Sequence, residues 1–268
     1  MTPEQLLSHI DSGQLWPPAA ADGPPGPDVA AGYQQALAVR RLRQARGEEP
    51  RGYKIGFTNR GIWSRYNVHA PIWGSVWDTT LTFCDGRGEL DLAGTCQPRI
   101  EPELVFGLRS VPARDCDLDT LFDSIEWMAP GFEVVQSHCP NWNFTAADTV
   151  ADSGLHARLL VGRKTLVRGV AADAARLERR VTGAAVVLTR DAEAIDQGRG
   201  ANVLDGPLHA LLHFVRELRA SPGAPTLNAG DVITTGTWTD AWPVLPGETW
   251  IARFDAPLTP LEVRFVRS

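Results

Sequence analysis

The segment Arg99-Ile100-Glu101-Pro102-Glu103-Leu104-Val105-Phe106 puts two carboxylates two residues apart. In extended backbone, residues i and i+2 share a face, so Glu101 and Glu103 project side by side. Neighbouring carboxylates repel unless a proton or a cation lies between them. Taken alone, the pair also fits a solvated edge strand interrupted by Pro102, because charged side chains are mostly exposed. Glu133 changes the balance. It stands inside Gly131-Phe132-Glu133-Val134-Val135, an apolar strand in which an unpaired buried carboxylate costs several kcal/mol. Three carboxylates with coordination positions to spare make a hard, oxygen-rich site suited to Mg²⁺ or Mn²⁺, unlike the nitrogen and sulfur sites of zinc. His138 and Cys139 follow closely and read as loop or packing groups rather than ligands.

Two further residue types could do chemistry. Among 26 basic residues only Lys54 and Lys164 are lysines. Arginine cannot carry protons near neutral pH, whereas a desolvated lysine can, so each lysine is a candidate; an exposed ammonium on a strand is the competing reading for Lys54. Tryptophan is abundant, with Trp63, Trp73 and Trp77 in one short segment and Trp238 and Trp242 in another. Such rings either anchor a core or wall an apolar pocket.

The elements that must position these groups follow from pattern. A short helix is expected from about Pro3 to Ile10, then a breaker segment at Pro17-Pro18 and Gly23-Pro24-Pro25-Gly26-Pro27. A second helix starts after Asp28 and runs to about Arg46. Strand signals then dominate, at 52–57, 80–83, 103–106, 132–135, 159–161, 185–188, 232–234, 250–254 and 261–266. Helical spacing returns strongly in two places, at Leu118, Leu121, Phe122 and Ile125 after Asp117, and at Leu208, Leu211, Leu212 and Val215 after Asp205-Gly206-Pro207. Many strands without regular βαβ alternation disfavour a TIM barrel or Rossmann sheet and point to a β-rich α+β fold. The division expected is a helical N-terminal portion, 1–50, and a mixed β-rich catalytic domain, 51–268.

Composition removes several function classes. The formal net charge is −6 over 268 residues, which argues against binding a phosphate backbone. No apolar run reaches the roughly 20 residues that span a bilayer, and no basic start resembles a secretory leader, so no membrane partner and a cytoplasmic location are expected. Cys84, Cys96, Cys116 and Cys139 are too scattered for a zinc knuckle and read as reduced. There is no Gly-x-Ser-x-Gly, no His-Glu-x-x-His and no P-loop, and Gly198-Arg199-Gly200 lacks the third glycine of a dinucleotide fingerprint.

From about Tyr33 to the C-terminus the chain resembles the 2-hydroxypenta-2,4-dienoate hydratase and 4-oxalocrotonate decarboxylase group of the fumarylacetoacetate hydrolase superfamily. Seven segments carry the likeness in order. They are Tyr53-Lys54-Ile55-Gly56-Phe57-Thr58, Pro71-Ile72-Trp73-Gly74 with Asp78, Arg99 to Glu103, Phe132-Glu133-Val134-Val135, Asp148-Thr149-Val150-Ala151-Asp152, Gly206 to Leu211 and Gly230 to Gly236. The resemblance implies a mixed β-sandwich roll, a bound Mg²⁺ or Mn²⁺ on Glu101, Glu103 and Glu133, Lys54 as proton carrier and Asp78 as a supporting acid. It also implies homo-oligomers and association with a related decarboxylase. Trp73, Asp152, His156 and Thr237 are the candidate substrate contacts. One departure stands out: the family carries a small polar run after the Asp152 position, where this chain reads Ser153-Gly154-Leu155-His156-Ala157-Arg158. The implied activity is metal-dependent hydration of a 2-hydroxy-2,4-dienoate or 2-oxo-enoate from aromatic-ring breakdown to a 4-hydroxy-2-oxo acid. Decarboxylation of an oxalocrotonate-type acid is the alternative, followed by C–C bond hydrolysis or a non-catalytic oxo-acid-binding subunit. The tryptophan clusters add an expectation of substrates extended beyond C5.

Overall fold

A computed structural model of the chain describes residues 1–18 and 28–267; the Gly23–Pro27 breaker lies outside the described residues. The helices are α1 (Pro3–Ser12), α2 (Val29–Ala45), α3 (Trp63–Tyr66), α4 (Leu118–Asp123), α5 (Ala146–Ala151), α6 (Val167–Val170), α7 (Ala174–Gly183) and α8 (Pro207–Ala220). The strands are β1 (Pro50–Gly56), β2 (Ile72–Trp77), β3 (Leu81–Phe83), β4 (Arg87–Asp91), β5 (Arg99–Leu108), β6 (Ile125–Val135), β7 (His156–Val161), β8 (Thr165–Leu166), β9 (Ala185–Arg190), β10 (Glu193–Arg199), β11 (Val232–Thr237), β12 (Trp242–Pro243), β13 (Thr249–Phe254) and β14 (Leu261–Val266).

They form two mixed sheets, as the α+β reading expects. The larger runs β2-β1-β11-β5-β6-β7-β3, with β12 on β5 and β8 on β6; the smaller runs β10-β9-β13-β14-β4. Pairing is antiparallel except for β1–β11, β3–β7 and β4–β14. One apolar core draws Leu104 and Phe106 from the large sheet, Leu188, Trp250 and Phe265 from the small one, and Leu211 and Phe214 from α8.

Caps explain where the helices begin. The Asp28 carboxylate accepts from the Ala31 N–H at 2.8 Å, Asp117 and Thr120 form a capping box for α4, and Pro207 opens α8 behind Gly206. Several features depart from expectation, among them strand β2, which no strand signal marked. Ile125 opens β6 instead of closing the α4 stripe, since it begins an almost wholly buried extended run. Helices α5 and α7 were not legible as strong helices: α5 is one short turn and a half, capped by Thr145 and buried beneath α2. Strands β4 and β10 are half-polar ribbons whose pairing comes from their neighbours rather than from hydrophobic pattern.

Most of the tryptophans are structural. Trp73, 3% exposed, stacks on Tyr33 at 4.7 Å and meets Tyr53 edge-on at 6.0 Å, which fastens α2 to the large sheet. Trp77 is buried under the Arg40 and Arg43 guanidiniums, and Trp63 donates to the Phe57 carbonyl. Trp73→Ala is therefore expected to lower unfolding stability by about 3–5 kcal/mol, the cost of an evacuated aromatic site, as measured by chemical denaturation.

Candidate active site

Strand β5 lies between β11 and β6, so its acidic face is enclosed on both sides. The register sets Glu101 opposite Glu133 and Glu103 opposite Gly131, with Thr237 across from Glu103 on β11. Glu103 and Glu133 are fully buried. One oxygen from each of Glu101, Glu103 and Glu133 lies within 4.8 Å of the other two.

The remaining oxygens are mostly committed. Glu103 Oε2 accepts from the Gly236 N–H at 2.6 Å, and Glu133 Oε1 lies 2.9 Å from His156 Nδ1. Glu103 Oε1 and Glu133 Oε2 accept no hydrogen bond although both are buried. Lys54 Nζ is 3.2 Å from Glu133 Oε2, an ion pair off the line of a good hydrogen bond. An orphaned buried acceptor is costly, and Glu103 Oε1, together with Glu133 Oε2, whose one partner is the Lys54 ion pair, and the nearby Glu101 make a cation's donor set.

The electrostatics agree. Burial pushes the Glu101 carboxyl up to about 7, with Lys54 pulling it back and Glu133 adding to the rise. Burial, then the charges of Glu133 and Glu101, hold Glu103 well above the carboxylate range. Glu133 stays below its ordinary value because Lys54 and His156 together outweigh its burial. Burial alone depresses Lys54, yet the three carboxylates reverse that and raise it. One ammonium does not compensate three carboxylates, so the site fits a divalent ion as a further positive charge.

Local backbone places these groups. Lys54 sits on β1 opposite Gly74 and is 3% exposed. A Cβ on Gly74 would stand 2.2 Å from the Ser153 carbonyl oxygen, and one on Gly154 would stand 3.1 Å from Lys54 Cδ. The Ser153–Leu155 turn can thus lie directly on the lysine stem only because glycine occupies both positions. Gly236, at φ +100° and with no room for a Cβ beside Thr58, turns its N–H onto Glu103.

His156 sits behind Glu133, fully enclosed. Its Nδ1 faces Glu133 and its Nε2 lies 2.9 Å from the Thr80 hydroxyl. Burial holds its pKa below the ordinary value, so the neutral ring with the proton on Nδ1 satisfies both contacts. It contacts a carboxylate of the site rather than the cavity. Thr237 does line the cavity, a space of about 510 Å³ bounded by Lys54, Glu101, Gly154 and Leu155.

Three expected site residues lie elsewhere. Asp78 is an exposed turn residue whose Oδ1 accepts from the Glu49 and Thr79 N–H groups; four residues beyond the Lys54 partner Gly74, it is roughly 13 Å along the strand. Asp152 is buried with both oxygens on His138, at 2.9 Å from N and 2.6 Å from Nδ1, and anchors the turn that covers Lys54. Trp73 belongs to the core. The tryptophan wall is likewise corrected: Trp242 donates to Asp196, and Trp238, though bordering the cavity, is fully buried edge-on against Phe254. The cavity's aromatic residues are instead Phe57, Tyr66, Trp142 and Phe144. The interleaved Asn141-Trp142-Asn143-Phe144 between two recognised segments was the available signal for two of them.

Over 254 residues the chain is 31% identical to a 2-hydroxyhexa-2,4-dienoate hydratase of Comamonas testosteroni, covering 94% of this chain and 90% of that protein. The chain belongs to the 2-keto-4-pentenoate hydratase and 4-oxalocrotonate decarboxylase family. A 4-oxalocrotonate decarboxylase from Pseudomonas putida G7, solved with magnesium and adipate, superposes with a TM-score of 0.85 at 26% identity over 99% of both chains. Fumarylpyruvate hydrolase from Pseudomonas aeruginosa, solved with Mn²⁺ and pyruvate, shares the fold at a TM-score of 0.60 and 16% identity, over 81% of this chain and 90% of that one. No protein-family model matches the chain.

Because His156 fixes the rotation of the Glu133 carboxylate, His156→Ala is expected to weaken Mn²⁺ binding by about 10–100-fold, the usual cost of losing a partner behind a metal ligand. His156→Gln should recover part of it. Calorimetric titration of Mn²⁺ into each variant is the measurement; unchanged affinity would relegate His156 to packing.

Proposed function

We propose that the protein is a divalent-metal-dependent hydratase that adds water to a 2-hydroxy-2,4-dienoate or 2-oxo-enoate, giving a 4-hydroxy-2-oxo acid. The observation that carries this reading is the convergence of three carboxylates, two of them with buried oxygens that accept no hydrogen bond, beside a buried lysine ion-paired to one of them, in a chain of this family. Glu101, Glu103 and Glu133 would hold Mg²⁺ or Mn²⁺, which when bound supplies Lewis-acid polarisation of the substrate's C1 carboxylate and C2 oxygen.

The chain's own residues supply the rest. Lys54 Nζ is the only side-chain cation placed against all three carboxylates among the described residues, and it faces the cavity. It moves the proton that passes between the C2 hydroxyl and the far carbon of the conjugated system, leaving C4 open to water. Gly154 packs on the apolar stem of Lys54 and Gly74 stands opposite it on β2, while Leu155 lines the cavity beside them. Asp78 has no part in this scheme.

Decarboxylation is the second reading, supported by the decarboxylase neighbour that superposes end to end. Both reactions begin at the same oxo-acid end and diverge at the far end. Incubation with a dienoate and with an oxalocrotonate-type acid, followed by product analysis, separates them: a 4-hydroxy-2-oxo acid supports hydration, and CO₂ release supports decarboxylation. The reading extends to a cytoplasmic homo-oligomer that associates with a related decarboxylase, which light scattering of the protein alone and mixed with that partner would test.

Lys54→Ala is expected to lower kcat by at least about a hundredfold while Mn²⁺ affinity is retained or raised, since a like charge leaves the site. Lys164→Ala, a change at a lysine stacked on Phe83 and Trp127, should leave kcat within about threefold. Equal effects at the two lysines would sink the role given to Lys54. Asp78→Asn should likewise keep kcat near wild type and cost at most about 1 kcal/mol of stability by thermal unfolding.

A further inference from the structure

The cavity is far larger than the reading above requires. At about 510 Å³ it falls in the range that buries drug-sized ligands, about 300–1,000 Å³, whereas the simplest dienoate of the family has five carbons. One wall of it is a ladder of rings. Phe57 stacks on Tyr66 with centroids 4.9 Å apart, Tyr66 on Phe144 at 5.5 Å, and Phe144 meets Trp142 at 6.0 Å. All four rings line the cavity and all four are half-buried, so each keeps part of its surface toward the open space.

The ladder is held at a conformational cost. Phe57 and Trp142 stand at φ +56° and +58°, in the left-handed region that bulky L-residues avoid. The loop carrying Trp142 is tied down by one residue: Gln97 Nε2 donates to the Ser137 and Cys139 carbonyls, and Gln97 oxygens accept from Asn141 N and Trp142 Nε1. A wall fixed in this way binds a planar group without first losing its own freedom. The cavity's two arginines extend the stack rather than presenting a free anion clamp. The Arg99 guanidinium lies 4.2 Å from the Trp142 centroid and Arg65 lies 5.4 Å from that of Tyr66.

We infer that the Phe57–Tyr66–Phe144–Trp142 ladder is a specificity wall, selecting 2-oxo acids that carry a planar apolar extension beyond C5 over the five-carbon compound. The inference rests on the oxo-acid end of the site proposed above. It replaces the tryptophan clusters, which the fold places in or against the core, with a wall drawn from the residue after β1, from α3 and from the loop before α5.

Binding of saturated, unreactive acids tests it without depending on turnover. Calorimetry on the Mg²⁺-loaded enzyme would compare 2-oxopentanoate, 2-oxo-6-phenylhexanoate and the dicarboxylate 2-oxohexanedioate. The phenyl acid is expected to bind at least about tenfold tighter than 2-oxopentanoate, and this ratio should fall to within about threefold in Tyr66→Ala and Phe144→Ala. Tyr66→Leu and Phe144→Leu, which keep the volume of an apolar side chain, should give the same loss. Equal binding of the first two acids overturns the specificity wall alone, as does tightest binding by the dicarboxylate. If none of the three acids binds while Mn²⁺ still does, the oxo-acid reading itself fails and the wall with it.

Discussion

Everything in this molecule is arranged around the repulsion of three carboxylates forced together inside an apolar sheet. Antiparallel pairing of β5 with β6 sets Glu101 beside Glu133, and the two-residue period brings Glu103 to the same face. A carboxylate in such surroundings would normally neutralise itself, and Glu101 and Glu103 are indeed driven toward the protonated form by burial. Glu133 escapes because it alone has two positive or proton-donating neighbours, Lys54 on one oxygen and His156 on the other. The site is thus not uniformly acidic: it has one committed anion and two that await compensation. Removing one partner of a buried pair of this kind costs about 3–5 kcal/mol, so Lys54 and Glu133 are bound to each other structurally as well as chemically.

That constraint explains features of the backbone that otherwise look unrelated. Gly236 must adopt a positive φ to turn its N–H onto Glu103, the one hydrogen bond that carboxylate receives. Gly74 must lack a Cβ so that the Ser153–Leu155 turn can press on the Lys54 stem, and Asp152 must spend both oxygens on His138 to hold that turn. Residues recognised in the sequence as parts of family segments therefore act at two removes from the chemistry. They fix the place of the ammonium.

The site's acidic end was legible because carboxylates leave a signature: an i, i+2 pair and a lone Glu in an apolar run are both unusual, and each has a stated electrostatic cost. Lys54 was legible in part, marked by its rarity in an arginine-rich chain and then by the resemblance. The tryptophan wall was misread since aromatic residues lower the free energy of a core and of a pocket by the same means, and sequence does not say which side of a strand faces inward. Trp73 went to the core because Tyr33 on α2 and Tyr53 on β1 both needed it, a tertiary fact. The segment after Asp152 stood out in sequence as a departure; in space His156 reaches Glu133 from behind and the preceding turn lies on the Lys54 stem. Among the elements, α5 and β4 were missed because they form on partners far along the chain, α2 and β14, whereas β10, which pairs with β9 directly before it, was missed because its half-polar sequence carries no strand pattern.

The two ends of the cavity follow different physical logics, and this bears on how one scaffold serves both hydratases and decarboxylases. The acidic end is held by the register of three central strands, and a one-residue slip of β5 against β6 would turn Glu101 and Glu103 to the face opposite Glu133. It is therefore the least adjustable part of the fold. The aromatic end is built from a one-turn helix, the residue that follows β1 and a loop, positions whose side chains are set by turn geometry and can change without disturbing the sheets. Backbone strain at Phe57 and Trp142 persists there because Gln97 and the neighbouring rings over-determine it, not because the sheet requires it. On the reading proposed above, a change of substrate is accommodated at the end where strain is local and pairing is absent, while the charge-bearing end stays as the sheet dictates.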